Sequence, residues 1–216
     1  MAKAGTSSKV TSRDSTRSAD TRRLLVDAAI ETLKAEGFVG TSARAIAERS
    51  GLNQGLIFYH YGSVANLLLA ALDSVSAQRM EQYGAAVEGV ASPTELVDVA
   101  MDIFREDLDA GYVTVLVEMI AGASSSPELG PEVASRIGPW FEFAQQAVET
   151  TIGGSPLGTV LPADDVAYGI VALYLGLEML THLEGDRTRA LGLFAHAKNL
   201  AGLLQALSPP TLKEKP

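Results

Sequence analysis

Apolar residues recur at helical spacing from Leu24 to Leu207, so the chain reads as helices throughout. Leu24, Leu25, Ala28, Ala29 and Leu33 form the stripe of a first helix from about Asp20 to Glu36, which Gly37-Phe38 ends. Thr41 or Ser42 can cap a short second helix, with Ile46 and Ala47 inward and Arg44, Glu48 and Arg49 outward. Ser50-Gly51-Leu52 is a turn in which Gly51 adopts the left-handed conformation and Leu52 plugs the angle between two helices. Asn53 caps a third short helix from Gln54 to about Tyr59, with Ile57 and Phe58 packed inward. Gln54, Gly55, Tyr59 and His60 are left for solvent or a ligand. Two short helices joined by a glycine turn also occur as plain helical corners.

Ser63 caps a long fourth helix to about Val87, carrying Leu67, Leu68, Ala71, Leu72 and Val75; Ala91-Ser92-Pro93 marks a boundary behind it. A helix from Pro93 to Asp109 stops at Gly111, and Tyr112 to Ala121 is apolar apart from Glu118, as in a central buried helix. Ser124 to Pro127 reads as a loop. Glu128 to Thr151 is helical, with Pro131 in its first turn and a break or kink expected at Pro139. Gly153 to Gly158 reads as a flexible linker. In the last two helices Val166, Ile170, Leu173, Leu177 and Leu180 form one seam, and Ala190, Leu193, Ala197, Leu200, Leu204 and Leu207 a second. Their spacing of threes and fours suits helices crossing at small angles. Gly169 and Gly176, one heptad apart, let a partner helix approach. The seams fit a homodimer interface, and they also fit burial within the chain's own core.

Charge is unevenly distributed. Residues 1–79 carry +3 and residues 80–216 carry −12 of a net −9, so the basic end is left to meet a polyanion while the acidic part stays off it. Residues 1–18, with eight Ser/Thr and four Lys/Arg, read as a disordered basic arm that is either a solvated tail or a contact to phosphates or the minor groove. With no cysteine, disulfides and Cys-based metal sites are excluded. The N-terminus lacks a signal-peptide core, and no uninterrupted apolar run is long enough for a membrane span, so a cytoplasmic location is expected.

The sequence from Arg23 to Leu69 closely resembles the TetR family of bacterial transcriptional repressors. The resemblance rests on Ala28-Ala29, Gly37-Phe38, Thr41-Ser42, Ile46-Ala47, Gly51-Leu52, Gly55, Phe58-Tyr59-His60-Tyr61 and Ser63. It implies an all-α fold of about nine helices: a three-helix helix-turn-helix DNA-binding domain and a larger helical domain for ligand binding and dimerisation. The expected organisation is an arm at 1–18, the DNA-binding domain at 19–65, the ligand-binding and dimerisation domain at 66–208, and a tail at 209–216. Expected partners are operator DNA, a small-molecule effector, and a second copy joined through Val166, Ile170, Leu173, Leu177, Leu193, Leu200 and Leu204. The family usually has Lys, often followed by Glu, where this chain has Val64 and Ala65. That lysine generally meets a phosphate, so weaker or more salt-sensitive anchoring is expected.

Gln54 and Tyr59 are the candidates for base-edge contacts, since an amide pairs bidentately with adenine and a phenol reaches a base or a phosphate. Gly55 allows close approach of the backbone, and Thr41, Ser42, Arg44 and His60 are the candidates for phosphates. Met101, Phe104, Met119, Trp140, Phe143 and Tyr174, with Glu178 and His182 as polar groups, are candidates for an effector pocket; ordinary core packing also accounts for each. Nothing requires a cofactor, a metal or an enzyme: Glu178 and His182 share a helical spacing without a third ligand, and no phosphate loop or nucleophile elbow occurs. A ligand-released repressor binding a palindromic operator is the reading favoured. The alternatives are a sequence-tolerant architectural DNA binder and a small-molecule-binding module that does not bind DNA.

Overall fold

The computed structural model describes residues 7–126, 128–153 and 162–207, with the backbone only for residues 7–14, 204 and 207. Among them are nine helices and no strand: α1 (Ser7–Gly40), α2 (Ala43–Ser50), α3 (Gly55–Tyr61), α4 (Val64–Val87), α5 (Pro93–Ala110), α6 (Tyr112–Ser125), α7 (Leu129–Ile152), α8 (Ala163–Glu184) and α9 (Thr188–Leu207). They form two compact units. One comprises the chain up to Val75 with Thr114–Val133; the other comprises Ser76–Val113 and the chain from Ala134. This division differs from a single boundary near residue 65: α4 and α6 each contribute to both units.

In the first unit α1 runs to Gly37, where φ is 69° and ψ 179°, and the helical path is interrupted. A side chain is strained at that φ, so glycine ends the helix cheaply. The stripe predicted for α1 is real on its inner side, since Leu25, Ala29 and Leu33 are fully buried, while Leu24 is exposed. Ile46, Ile57, Leu67 and Met119 are buried to the same degree in the helices of this unit. The ring of Phe38 lies so close to Gly122 on α6 that a Cβ there would come within 2.4 Å of it.

The second unit has Phe104 at its centre, packed with Leu177 of α8 and Ala190 of α9. Its ring centre lies 5.6 Å from Tyr174, nearly perpendicular, and 5.1 Å from Phe194, an arrangement that brings ring edges to ring faces. Lys198–Asp98 at 2.7 Å and Thr94–Gln205 at 3.2 Å tie α9 to α5 along the surface.

Two elements depart from expectation. Helix α1 starts at Ser7, so residues 7–18 are helical rather than a disordered arm; residues 1–6 and the tail at 209–216 lie outside the described residues. Helix α7 continues through Pro139 without ending. The proline costs one hydrogen bond and a steric clash, about 3 kcal/mol, which burial of Val133 and Val148 on a 24-residue helix outweighs. By length and composition alone α8 is apolar enough to cross a membrane, although Asp164, Asp165 and Glu178 interrupt its apolar run. Most of the predicted linker, residues 154–158, lies outside the described residues. Replacing Phe104 by Ala is expected to lower the unfolding free energy by ~3–5 kcal/mol, read as an earlier midpoint in a urea titration.

Candidate DNA-reading helix and effector site

Ser42 caps α2, its Oγ accepting a hydrogen bond from the Ala45 amide at 3.2 Å. Gly51 ends α2 in the left-handed conformation, φ 67° and ψ 16°, and the Leu52 amide reaches back to the Ala47 carbonyl at 3.2 Å. The expected glycine turn is therefore present, and its hydrogen bonds use groups a helix end would leave unpaired. Asn53 Oδ1 accepts from the Gly55 amide at 2.7 Å and starts α3. Ser63 Oγ does the same for the Asn66 amide at the start of α4, at 3.1 Å.

Helix α3 buries Ile57 completely and leaves Phe58 and Tyr59 exposed. Gln54, Gly55 and Tyr59 are exposed together, Tyr59 to 80%, and the His60 ring packs edge-on to Tyr59 at 4.8 Å. Phe58 is 50% exposed rather than packed inward: with Ile57 facing the core, the next residue is rotated about 100° around a helix. Thr41 is also corrected. It is buried, and its hydroxyl donates to the Gly37 carbonyl at 2.6 Å, so it secures the helix break and is not available to a phosphate. Ser42 and Arg44 are exposed. Arg49, though partly exposed, bonds Glu36 at 3.2 Å and Thr32 at 3.1 Å, holding α2 to α1.

Sequence placed Arg22 at the start of the first helix, near a passing DNA backbone, and noted Glu118 in an apolar helix, but it did not give two contacts these residues make near this motif. Glu118 of α6 accepts a hydrogen bond from the Phe38 amide at 2.6 Å, just after the break at Gly37. Arg22 lies over the Tyr61 ring, 5.5 Å from its centre, and the Tyr61 hydroxyl donates to the Arg22 carbonyl at 3.0 Å. Both contacts pair residues distant in sequence, so helical periodicity carries no signal of them.

The expected pocket residues do not form one lining. Met119 is buried in the first unit, because α6 passes from one unit to the other, and His182 is exposed on α8. Glu178 points inward, so the two do not share a face. In the second unit Phe104, Tyr174 and Glu178 remain together, around a buried ionic cluster that periodicity does not reveal. Arg79 of α4 forms a salt bridge with Asp107 of α5, both nearly inaccessible, and also bonds Gln82. Its guanidinium stands 4.9 Å from the Tyr83 ring centre and 4.8 Å from that of Tyr112. Asp107 accepts hydroxyls from Tyr83 and, at 2.6 Å, Tyr174. Trp140 and Phe143 of α7 pack against Tyr83, with ring centres at 5.4 and 5.8 Å. A cleft of about 280 Å³, lined by Gly84, Val87, Leu96, Phe143 and Gln146 among others, opens beside Phe143.

Burial raises Glu178 to a pKa of about 8, against the smaller opposing pull of Tyr174 and Arg79. It also pushes Tyr83 up to about 12 and raises Tyr174 further, with Glu178 adding to the latter. At neutral pH Glu178 is therefore mainly a neutral acid. Because the folded chain holds that proton and the unfolded chain releases it near 4.5, the contribution of Glu178 to stability is greatest below about pH 4.5 and falls as pH rises to about 8. The expected outcome is a denaturation midpoint that declines with pH across this window in the native chain and declines less in Glu178→Gln.

Residues 25–71 match the family model described as bacterial regulatory proteins, tetR family. An HTH-type transcriptional regulator of Mycobacterium tuberculosis is 25% identical over 138 residues, covering 63% of this chain and 70% of that one. The HTH-type transcriptional regulator BetI of Rhizobium meliloti is 30% identical over 87 residues, covering 40% and 43%. A TetR transcriptional regulator from Chloroflexus aurantiacus has a similar fold, with a TM-score of 0.71 at 23% identity, covering 85% of this chain and 94% of that one.

Proposed function

The chain belongs to the TetR family of bacterial transcriptional regulators, and from that premise we propose that it is a homodimeric repressor released from a palindromic operator by a small molecule. It is a DNA-binding regulator rather than an enzyme. Members of the family bind operator DNA and small-molecule effectors and act as dimers. The observation that carries the reading is the exposed face of α3. Gln54, Gly55 and Tyr59 stand out on a short helix anchored by Ile57, the shape that enters a major groove about 12 Å wide. Gln54 and Tyr59 read base edges, Gly55 allows the backbone to approach, and Ser42, Arg44 and His60 meet phosphates. Phe58 adds an apolar surface suited to a thymine methyl. No cation stands at Val64 where the family's lysine would be; Arg22, held over Tyr61, supplies a positive charge near the same end of α3.

The dimer rests on unpartnered leucines. Ile170, Leu173, Leu180 and Leu183 of α8, and Leu193, Leu200 and Leu203 of α9, are exposed, while Leu177 faces its own core. A Cβ at Gly169 or Gly176 would meet nothing within 4 Å. A second copy laying the same helices on this face would bury it and explain why so apolar a helix as α8 is so exposed. Leu204, part of the predicted seam, lies outside the described side chains. The effector occupies the second unit beside the Arg79–Asp107 cluster. Arg79 is on α4, whose first turns belong to the reading unit, so a change at the cluster alters the setting of α3.

DNA from upstream of the coding region, compared with scrambled DNA at about 50 and 200 mM salt, tests the reading. Preferential binding to the former is expected, with Gln54→Ala or Tyr59→Ala weakening it by about 1–3 kcal/mol while leaving the thermal midpoint unchanged. Equal weak binding to both DNAs, lost with salt, would favour an architectural protein. Separately, Leu173→Glu is expected to convert a dimer to a monomer in analytical ultracentrifugation; a native chain that sediments as a monomer at all concentrations overturns the interface.

A further inference from the structure

We infer that Glu118, on α6 and outside the helix-turn-helix motif, is a positioning residue for DNA recognition: its carboxylate fixes the turn from which α2 starts, and through α2 the reading helix α3. The inference rests on the DNA-reading role given to α3 above and adds to it a residue that lies off the reading surface.

At Gly37 the ψ of 179° carries the next amide out of the hydrogen-bonding pattern of α1. An amide without an acceptor in a partly buried turn is costly. Glu118 Oε2 supplies the acceptor, taking the Phe38 amide at 2.6 Å. One turn further along α6 is buried Gly122, over which the Phe38 ring lies so close that a Cβ would come within 2.4 Å of it. Two successive turns of α6 thus grip one residue, by its backbone and by its side chain. Packing alone does not call for an acid there. Val115, Leu116 and Met119 bury α6 by apolar contact, and a carboxylate taken partly out of water is offset only by the bond it makes.

The link from Phe38 to α2 is short and stiff. The Thr41 amide donates to the Phe38 carbonyl at 3.2 Å, the Ser42 amide to the Gly40 carbonyl at 2.9 Å, and the Thr41 hydroxyl to the Gly37 carbonyl at 2.6 Å. Ser42, which caps α2, is therefore set by Phe38, and the Gly51 turn carries that setting to α3. The far end of α2 is tied to α1 instead, through the bonds of Arg49 to Thr32 and Glu36. Releasing Phe38 frees the leading end of α2 while its trailing end stays attached, so α2 tilts rather than unfolds. A tilted α3 loses base-edge contacts, which depend on paired hydrogen bonds in fixed geometry and carry the sequence preference. Phosphate contacts carry no sequence and are made on any duplex.

The probes are a duplex enriched by the native full-length chain from a pool of random DNA and a scrambled duplex of the same composition, titrated by fluorescence anisotropy at about 50 and 200 mM salt. Glu118→Gln keeps the reach and an acceptor oxygen. Glu118→Asp keeps the charge and draws the oxygens back by one methylene. Glu118→Asp is expected to lose about tenfold or more in affinity for the enriched duplex, the size of one lost charge-assisted hydrogen bond, with little change on the scrambled one. Glu118→Gln is expected to stay within about threefold of the native chain on both. Amide exchange read by mass spectrometry is expected to quicken from Phe38 to Ala45 in Glu118→Asp and to keep native protection in α5 and α9. Native affinity for the enriched duplex in Glu118→Asp overturns the positioning role. Equal loss on both duplexes with faster exchange throughout also overturns it, because that marks a residue needed only for folding. Equal loss in Glu118→Gln and Glu118→Asp overturns it too, since charge rather than reach would then matter. A native chain that enriches no sequence overturns the DNA-reading premise, and this inference with it.

Discussion

The contact between Glu118 and the Phe38 amide holds the chain at the point where the first helix must stop and the DNA-reading motif begins. At 2.6 Å it joins residues eighty positions apart, and a bond from a carboxylate to an amide is among the stronger hydrogen bonds a fold can make. Gly37 is needed twice over there. Its positive φ turns the chain, and a Cβ would come within 2.9 Å of the Glu118 carboxylate. Thr41 fastens the carbonyl side of the same break, and the Phe38 ring fills the space over Gly122. The entry angle of α2, and through the Gly51 turn that of α3, is thus fixed from α6.

The second unit is organised around charge at its centre. An Arg79–Asp107 pair out of water is held by tyrosine hydroxyls and by the rings of Tyr83 and Tyr112 against the guanidinium. Buried ion pairs add little net stability compared with well-packed apolar residues, yet losing one partner is costly. Both Glu178 Oε1 and Arg79 Nε are left without a hydrogen-bond partner among the described residues.

Much of this was legible in the sequence, and the failures have physical causes. Helix caps and turns are local chemistry: Ser42, Gly51, Asn53 and Ser63 act as residues of their types act at those positions. Heptad spacing identified faces correctly where one face is buried, as along α4. It assigned Phe58 to the core because two adjacent apolar residues look alike in sequence, although a helix turns them apart. Thr41 looked like a surface hydroxyl because its bond runs back to a carbonyl in an irregular turn. Arg79, Asp107 and Glu118 were missed as partners because their contacts join separate helices, and one charged residue in an apolar stripe does not reveal its mate. The effector residues were named by composition, so Met119 and His182 were included although α6 and α8 carry them elsewhere.

The leucine face of α8 and α9 has a consequence for abundance. If DNA binding requires two chains joined there, the active species follows mass action. Where monomers predominate, the dimer varies with the square of the total protein, and a twofold fall in supply removes about three-quarters of it. Occupancy of the operator then depends on synthesis and dilution of the regulator as well as on its effector, and a cell that divides without replenishing the chain would begin to relieve repression with no ligand present.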